Sequence, residues 1–180
     1  MDTKNRWEII LAGYGGQGLG RAGQILAEAA IGSNDLNVTH NQSYGAQARG
    51  GASQSSLIIS SEEIIFPIVE KADILVALSP ESYSTFEPQV NLEGGTIIYD
   101  SSVSMNLKGR VSERGYPFKE ETEKIDHPAG ITVMALGTAI ELFKFVSPDA
   151  LIMVLKNQFS GEVLKKNIKA FQTGQNLAKN

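Results

Sequence analysis

An apolar run from Trp7 to Ala12 leads directly into Gly13-Tyr14-Gly15-Gly16-Gln17-Gly18. Next comes a stretch from Leu19 to Ile31 whose small and apolar residues recur at helical spacing. Strand, glycine turn and helix in this order commit the start of the chain to an α/β fold, because glycines let the backbone turn tightly and the helix lie close on the strand. The helix face of Leu19, Ala22, Gly23, Leu26, Ala29 and Ala30 is narrow enough for that packing, and Gly32-Ser33-Asn34 ends it. Gly13-x-Gly15-x-x-Gly18 also matches the dinucleotide fingerprint, in which free N–H groups at a helix N-terminus meet an anion. A nicotinamide site needs an acid about 20 residues later to hold the ribose. Thr39-His40-Asn41 stands there instead. Two readings remain open: an anion or nucleotide site, and a βα turn whose glycines serve packing alone. Arg21 opposes the helix dipole unless an anion lies nearby, the plain alternative being a solvated side chain.

The rest of the chain continues the alternation. Asn37 to His40 reads as a short second strand, and Asn41 to Ala52 as a long loop. Ser53–Ser60 and Glu63–Phe66 are expected to form a hairpin across Ser60-Ser61-Glu62. Asp73 to Leu78 and Thr96 to Tyr99 are continuous apolar runs of the kind buried on both faces of a parallel sheet. Ser79-Pro80-Glu81 begins a helix expected to reach about Val90. An edge strand is expected near Arg110-Val111-Ser112, a turn at Gly115-Tyr116-Pro117 and a buried helix from Gly130 to Val146. Ser147 is expected to cap the helix that follows, and Leu164, Ile168 and Phe171 mark an amphipathic last one.

Composition narrows the function. With no cysteine, the chain carries no disulfide, thiolate zinc site or Cys-ligated iron–sulfur cluster. Two histidines, neither near an acidic cluster, give no metal site. A net charge of −4 without a basic run leaves no footprint for nucleic acid. No apolar run approaches the ~20 residues that span a bilayer, so no membrane partner is expected and the expected location is the cytoplasm.

A second constellation is Ser43-Tyr44-Gly45-Ala46-Gln47-Ala48-Arg49-Gly50-Gly51-Ala52-Ser53. If it follows a parallel strand it shares the carboxyl edge with the glycine turn, where Arg49 can present a guanidinium to phosphate or carboxylate. Gly50 and Gly51 let the backbone approach a ligand closely. The bland alternative is a surface loop with one solvated arginine. Catalytic patterns are scarce: there is no nucleophile elbow and no phosphate-binding Gly-Lys-Ser/Thr. His40 and His127 read more readily as structural residues than as bases. Asp100 lies on the ligand edge by topology, yet is equally a turn residue. No catalytic residue is assigned to this chain alone.

Taken together the two loops, the later Ala-Asp-Ile-Leu-Val-Ala-Leu (72–78), Gly-Gly-Thr-Ile-Ile-Tyr-Asp (94–100) and Ala135-Leu136-Gly137 resemble the gamma subunits and domains of the 2-oxoacid:ferredoxin oxidoreductases, the pyruvate/ketoisovalerate oxidoreductase family, over residues 7–178. The resemblance implies a non-redox subunit of a complex that oxidatively decarboxylates a 2-oxoacid with coenzyme A and passes electrons to ferredoxin. It implies alpha, beta and ferredoxin-like delta partners, which hold thiamine diphosphate, Mg and the iron–sulfur clusters. Coenzyme A is the ligand implied at this chain's surface, with Gly13, Gly15, Gly16, Gln17, Gly18, Ser43, Tyr44, Gln47, Arg49, Gly50 and Gly51 facing it or the neighbouring subunit. Pyruvate-type relatives often read Glu-Arg-Arg-Gly-Ala-Pro where this chain has Gln47-Ala48-Arg49-Gly50-Gly51-Ala52, so the likeness is to the 2-oxoglutarate type. Thr132 stands where relatives often have Asn.

The expected fold is thus α/β, three-layer, a mostly parallel sheet with a Rossmann-like first βαβ unit, a β-hairpin addition and C-terminal helices, forming a single domain over 1–180. Two rivals stay open: a free-standing nucleotide-dependent oxidoreductase, and a non-catalytic small-ligand-binding or interaction module. An isolated copy is expected to expose an apolar docking face and to self-associate.

Overall fold

The computed structural model describes residues 4–34, 36–43 and 52–179. Among them a six-stranded sheet runs in the order β2-β3-β1-β4-β5-β6. Its strands are β1 (Arg6–Tyr14), β2 (Asn37–Ser43), β3 (Ala52–Ser60), β4 (Ile74–Ala77), β5 (Thr96–Asp100) and β6 (Ser112–Tyr116). The helices are α1 (Leu19–Asn34), α2 (Pro80–Phe86), α3 (Phe118–Lys124), α4 (Ile131–Phe143), α5 (Pro148–Gln158) and α6 (Gly161–Lys179). β1, β4, β5 and β6 pair in parallel, and β3 alone runs against its neighbours β1 and β2.

Alternate residues of the central strands feed two cores, as strands covered on both faces require. Ile9, Leu11, Ile74 and Val76 meet α1, α4, α5 and α6, whereas Ile10, Ala12, Leu75 and Ala77 meet Tyr83, Phe86 and Val90 on the α2 side. These eight strand residues are wholly buried, at roughly 1.5–3 kcal/mol for each large aliphatic one. All of Ile131 to Ile140 in α4 is buried. This helix crosses α6 where two glycines meet: a Cβ on Gly174 would lie 1.9 Å from the Met134 carbonyl oxygen, and one on Gly137 2.2 Å from that of Phe171. Thr138 Oγ1 spans the crossing to the Gly174 carbonyl at 2.8 Å.

The layered, mostly parallel α/β architecture with C-terminal helices is the one expected, and several local expectations change. The hairpin is β2–β3, and Glu63–Phe66 is not a strand. Both edges of β3 are already taken by β1 and β2, so a further strand has no ladder to join there. β2 extends past His40 to Ser43, its polar residues pairing with the polar half of β3. As β3 separates β1 from β2, the first βαβ unit is split. Gly115 and Tyr116 lie in β6 rather than in a turn. A Cβ on Gly115 would sit 2.6 Å from the Tyr99 ring, so this glycine accommodates an aromatic neighbour. α2 stops at Phe86 and passes into a 3₁₀ turn, Glu87–Gln89, because Pro88 has no N–H to continue an α-helix. α4 ends at Phe143, with Lys144 in the left-handed region. Ser147 precedes α5 without capping it through its side chain. Ser79 does cap α2, exchanging two 3.1 Å hydrogen bonds with Ser82.

Candidate functional site

The glycine turn sits where β1 ends and α1 begins. Gly16 and Gly18 adopt φ of 93° and 76°, a region that glycine enters without strain. Gly13 serves differently. A Cβ there would fall 2.2 Å from Gln17 Oε1, the atom that accepts the Tyr14 N–H at 2.7 Å. The amide oxygen of Gln17 is therefore spent on the turn, and its nitrogen is the end left for a ligand. Thr132 Oγ1 donates to the Gln17 carbonyl at 2.6 Å, pinning the turn to the start of α4. Gly15 meets nothing nearer than Ser53 Oγ at 3.9 Å, so its missing side chain leaves open space.

Two clefts flank this turn, with Tyr14 and Gly16 lining both. The first, about 360 Å³, lies over the N-terminus of α1, and Arg21, Gln24, Gln42 and Ser53 form its polar lining. Among the described residues it holds one cation and no carboxylate, and α1 has no acid in its first turn. The Arg21 guanidinium rests 5.4 Å from the centre of the Phe159 ring, and no acid pairs with it among the described residues. Ser53 is 7% exposed, and its hydroxyl has no hydrogen-bond partner among the described residues. Helix N–H groups, an unpaired guanidinium and a buried hydroxyl donor give the cleft the chemistry of an anion site.

The second cleft, about 450 Å³, lies between the turn and α3, with Gln17, Asp100, Lys119, Thr122 and Glu123 on its wall. Asp100 is 1% exposed, and its Oδ1 accepts N–H groups from Ser102 (3.0 Å) and Lys119 (3.4 Å). That closes the turn after β5, as expected, and leaves the residue on the wall of the second cleft.

The structure brings Gly13, Gly15, Gly16, Gln17 and Gly18 together at the carboxyl edge. Ser43 ends β2 at that edge: Tyr14 pairs with Ala52, and Ser43 with Gln54. Tyr44, Gln47, Arg49, Gly50 and Gly51 lie outside the described residues. His40 lines neither cleft. Its Nε2 lies 2.8 Å from Ser55 Oγ under α1, and burial pushes its pKa below the usual 6.5. Gly23 makes that room, since a Cβ there would sit 2.5 Å from the ring nitrogen. His127 pairs with Asn167 Oδ1 at 3.2 Å, linking the turn before α4 to α6. Sequence reasoning missed the Gln17 latch, the Thr132 pin and the place of Ser53 on the wall of the first cleft. Only Gly20 and Gly23 on the α1 face signal that β2 and β3 side chains press against that helix.

The sequence matches the family described as pyruvate ferredoxin/flavodoxin oxidoreductase over residues 8–177. The chain belongs to this family. It is 37% identical to the 2-oxoglutarate synthase subunit KorC of Methanocaldococcus jannaschii, across 98% of this chain and 96% of the relative. It superposes on the gamma subunit of a keto/oxoacid ferredoxin oxidoreductase from Geobacter sulfurreducens with TM-score 0.87, 30% identity and 98% of each chain covered. It also superposes on a 2-oxoglutarate:ferredoxin oxidoreductase from Magnetococcus marinus, solved with 2-oxoglutarate, coenzyme A and succinyl-CoA, with TM-score 0.84 and 26% identity. There it covers 98% of this chain but 31% of the matched one, so in that family member the same unit is part of a longer polypeptide.

Proposed function

We propose that the chain is the gamma subunit of a 2-oxoglutarate:ferredoxin oxidoreductase, an enzyme converting 2-oxoglutarate and coenzyme A to succinyl-CoA and carbon dioxide while reducing ferredoxin. The observation that carries this reading is 37% identity across nearly the full length of a 2-oxoglutarate synthase subunit. Partner alpha, beta and delta subunits supply thiamine diphosphate, Mg and iron–sulfur clusters, which provide the decarboxylation and electron-transfer chemistry. This chain's part is to bind. The N–H groups at the start of α1, the Arg21 guanidinium and the Ser53 hydroxyl accept an anionic group of coenzyme A in the first cleft. Gly15 and Gly16 let that group approach the backbone, and Ser43, Tyr44, Gln47, Arg49, Gly50 and Gly51 are the further residues that the family resemblance assigns to coenzyme A or the neighbouring subunit. The cytoplasm is the compartment where such a complex meets its substrates.

The free-standing nucleotide oxidoreductase is the weaker reading. β3 separates the end of β2 from the glycine turn, and among the described residues no acid stands at the end of β2, where a ribose needs one. The test is affinity purification of the tagged chain from its own organism, followed by coenzyme A-dependent viologen reduction with 2-oxoglutarate, pyruvate and 2-oxoisovalerate. Activity confined largely to 2-oxoglutarate is expected. Preference for another 2-oxoacid overturns the substrate assignment, and an inactive chain recovered alone overturns the whole reading.

A further inference from the structure

The sheet face opposite α1 is crossed between β3 and β4 by segment 61–71, which is neither strand nor helix. Its path is fixed by hydrogen bonds. Asn37 Nδ2 donates to the Glu62 carbonyl (3.1 Å), Asn41 Nδ2 to that of Pro67 (2.8 Å), and the Glu70 N–H to the Glu8 carboxylate (3.1 Å). Held in this way, the strap turns its apolar side chains outward: Ile65 is 91% exposed, Phe66 51% and Ile68 56%. Three large hydrophobic side chains exposed within four positions mark a contact surface rather than a solvated loop. Beside them Ile68 lines a recess of about 330 Å³ with Ile10, Asn41, Gln54 and Ser56. Gln54 also lines it, with its Oε1 buried and without a hydrogen-bond partner among the described residues. Glu62, Glu63 and Glu70 are exposed around the patch and form no ion pair among the described residues, leaving Lys71 as the strap's one cation.

We propose that this face docks the larger partner polypeptide of the enzyme, an inference that rests on the function proposed above. The occupant brings an apolar side chain to Phe66 and Ile68 and a basic rim to Glu62, Glu63 and Glu70. The Magnetococcus marinus relative indicates its source. There this unit accounts for 31% of one chain, so the remaining polypeptide is tethered beside it. A second copy of this chain, the self-association expected from the sequence, fits poorly here, since a strap-to-strap contact brings together two sets of three carboxylates with one Lys71 on each side to offset them. The same carboxylates repel an anionic membrane surface.

The test measures binding of the folded chain to the separately tagged partner that corresponds to the remainder of the fused relative. Ile65→Ser with Phe66→Ser should raise Kd by about tenfold or more, with circular dichroism and melting unchanged because both side chains are exposed. Glu62→Lys with Glu63→Lys should weaken binding by an amount that shrinks in high salt. Ile31→Ser with Met153→Ser, exposed on the α1 and α5 side, should leave Kd unaltered. Wild-type affinity in both strap variants overturns the inference alone, as does a strap-dependent dimer of the isolated chain. Failure of the wild-type chain to bind the partner overturns the functional reading and this inference with it.

Discussion

Replacing Gly174 with alanine sets two effects of opposite sign against each other. Helix propensity favours alanine by about 1 kcal/mol within a helix such as α6. The crossing with α4 opposes it. A Cβ at this position would lie 1.9 Å from the Met134 carbonyl oxygen, whereas ordinary contact begins at 3.4 Å, so the helices must part by about 1.5 Å. Backbone atoms form the obstacle, leaving no rotamer to relieve it. Overpacking of this kind costs about 1–3 kcal/mol. Parting the helices also breaks the 2.8 Å bond from Thr138 Oγ1 to the Gly174 carbonyl, at about 1 kcal/mol, and leaves the hydroxyl its longer 3.5 Å bond to the Met134 carbonyl. The expected net effect is a loss of about 1–3 kcal/mol, which lowers the urea midpoint by about 0.5 M or more. Gly32→Ala is the control. It lies in α1 with nothing within 4 Å of its added carbon, and should be neutral or stabilising. A Gly174→Ala midpoint at or above the wild type would refute the close-crossing argument.

Glu87 is 2% exposed between Lys108 Nζ (3.1 Å) and Arg110 Nη1 (3.4 Å), both cations about half exposed; Glu87→Gln should cost about 1–2 kcal/mol in urea unfolding. Burial holds the His40 pKa below 6.5, so below that pH the unfolded chain binds more protons than the folded one. Its contribution is present in full above pH 6.5 and is lost as pH falls through the lowered value, so His40→Gln should flatten the change in unfolding free energy between pH 7.5 and 5.5. Equal slopes in the two proteins would contradict this. Thr132→Val removes the 2.6 Å pin on the Gln17 carbonyl and should cost about 1 kcal/mol, while raising KM for coenzyme A without changing KM for 2-oxoglutarate.

What could be read from the residues follows the range of the forces involved. β1, β4 and β5 are legible because strands buried on both faces need uninterrupted apolar residues, and α2 because Ser79-Pro80-Glu81 is a local start signal. The true hairpin was hidden. Ser53, Gln54, Ser55 and Ser56 look like weak strand formers, yet β3 takes the place beside β1 through backbone ladders on both sides. Gly115 looked like a turn because the Tyr99 ring that demands a small residue there belongs to the neighbouring strand. At the candidate site, the glycine spacing disclosed the turn and the carboxyl edge. The Thr132 pin and the place of Ser53 on the cleft wall depend on contacts between distant segments, and the Gln17 latch on a side-chain rotamer that the glycine spacing does not announce.

The central claim is that the cleft over the start of α1 receives an anionic group of coenzyme A within the assembled oxidoreductase. The most direct test is steady-state viologen reduction by the complex carrying wild-type chain, Arg21→Ala or Ser53→Ala, with coenzyme A and 2-oxoglutarate varied in turn. The account expects KM for coenzyme A to rise about tenfold for Arg21→Ala and severalfold for Ser53→Ala, while KM for 2-oxoglutarate and subunit stoichiometry stay unchanged. Unaltered KM for coenzyme A in both variants would contradict it.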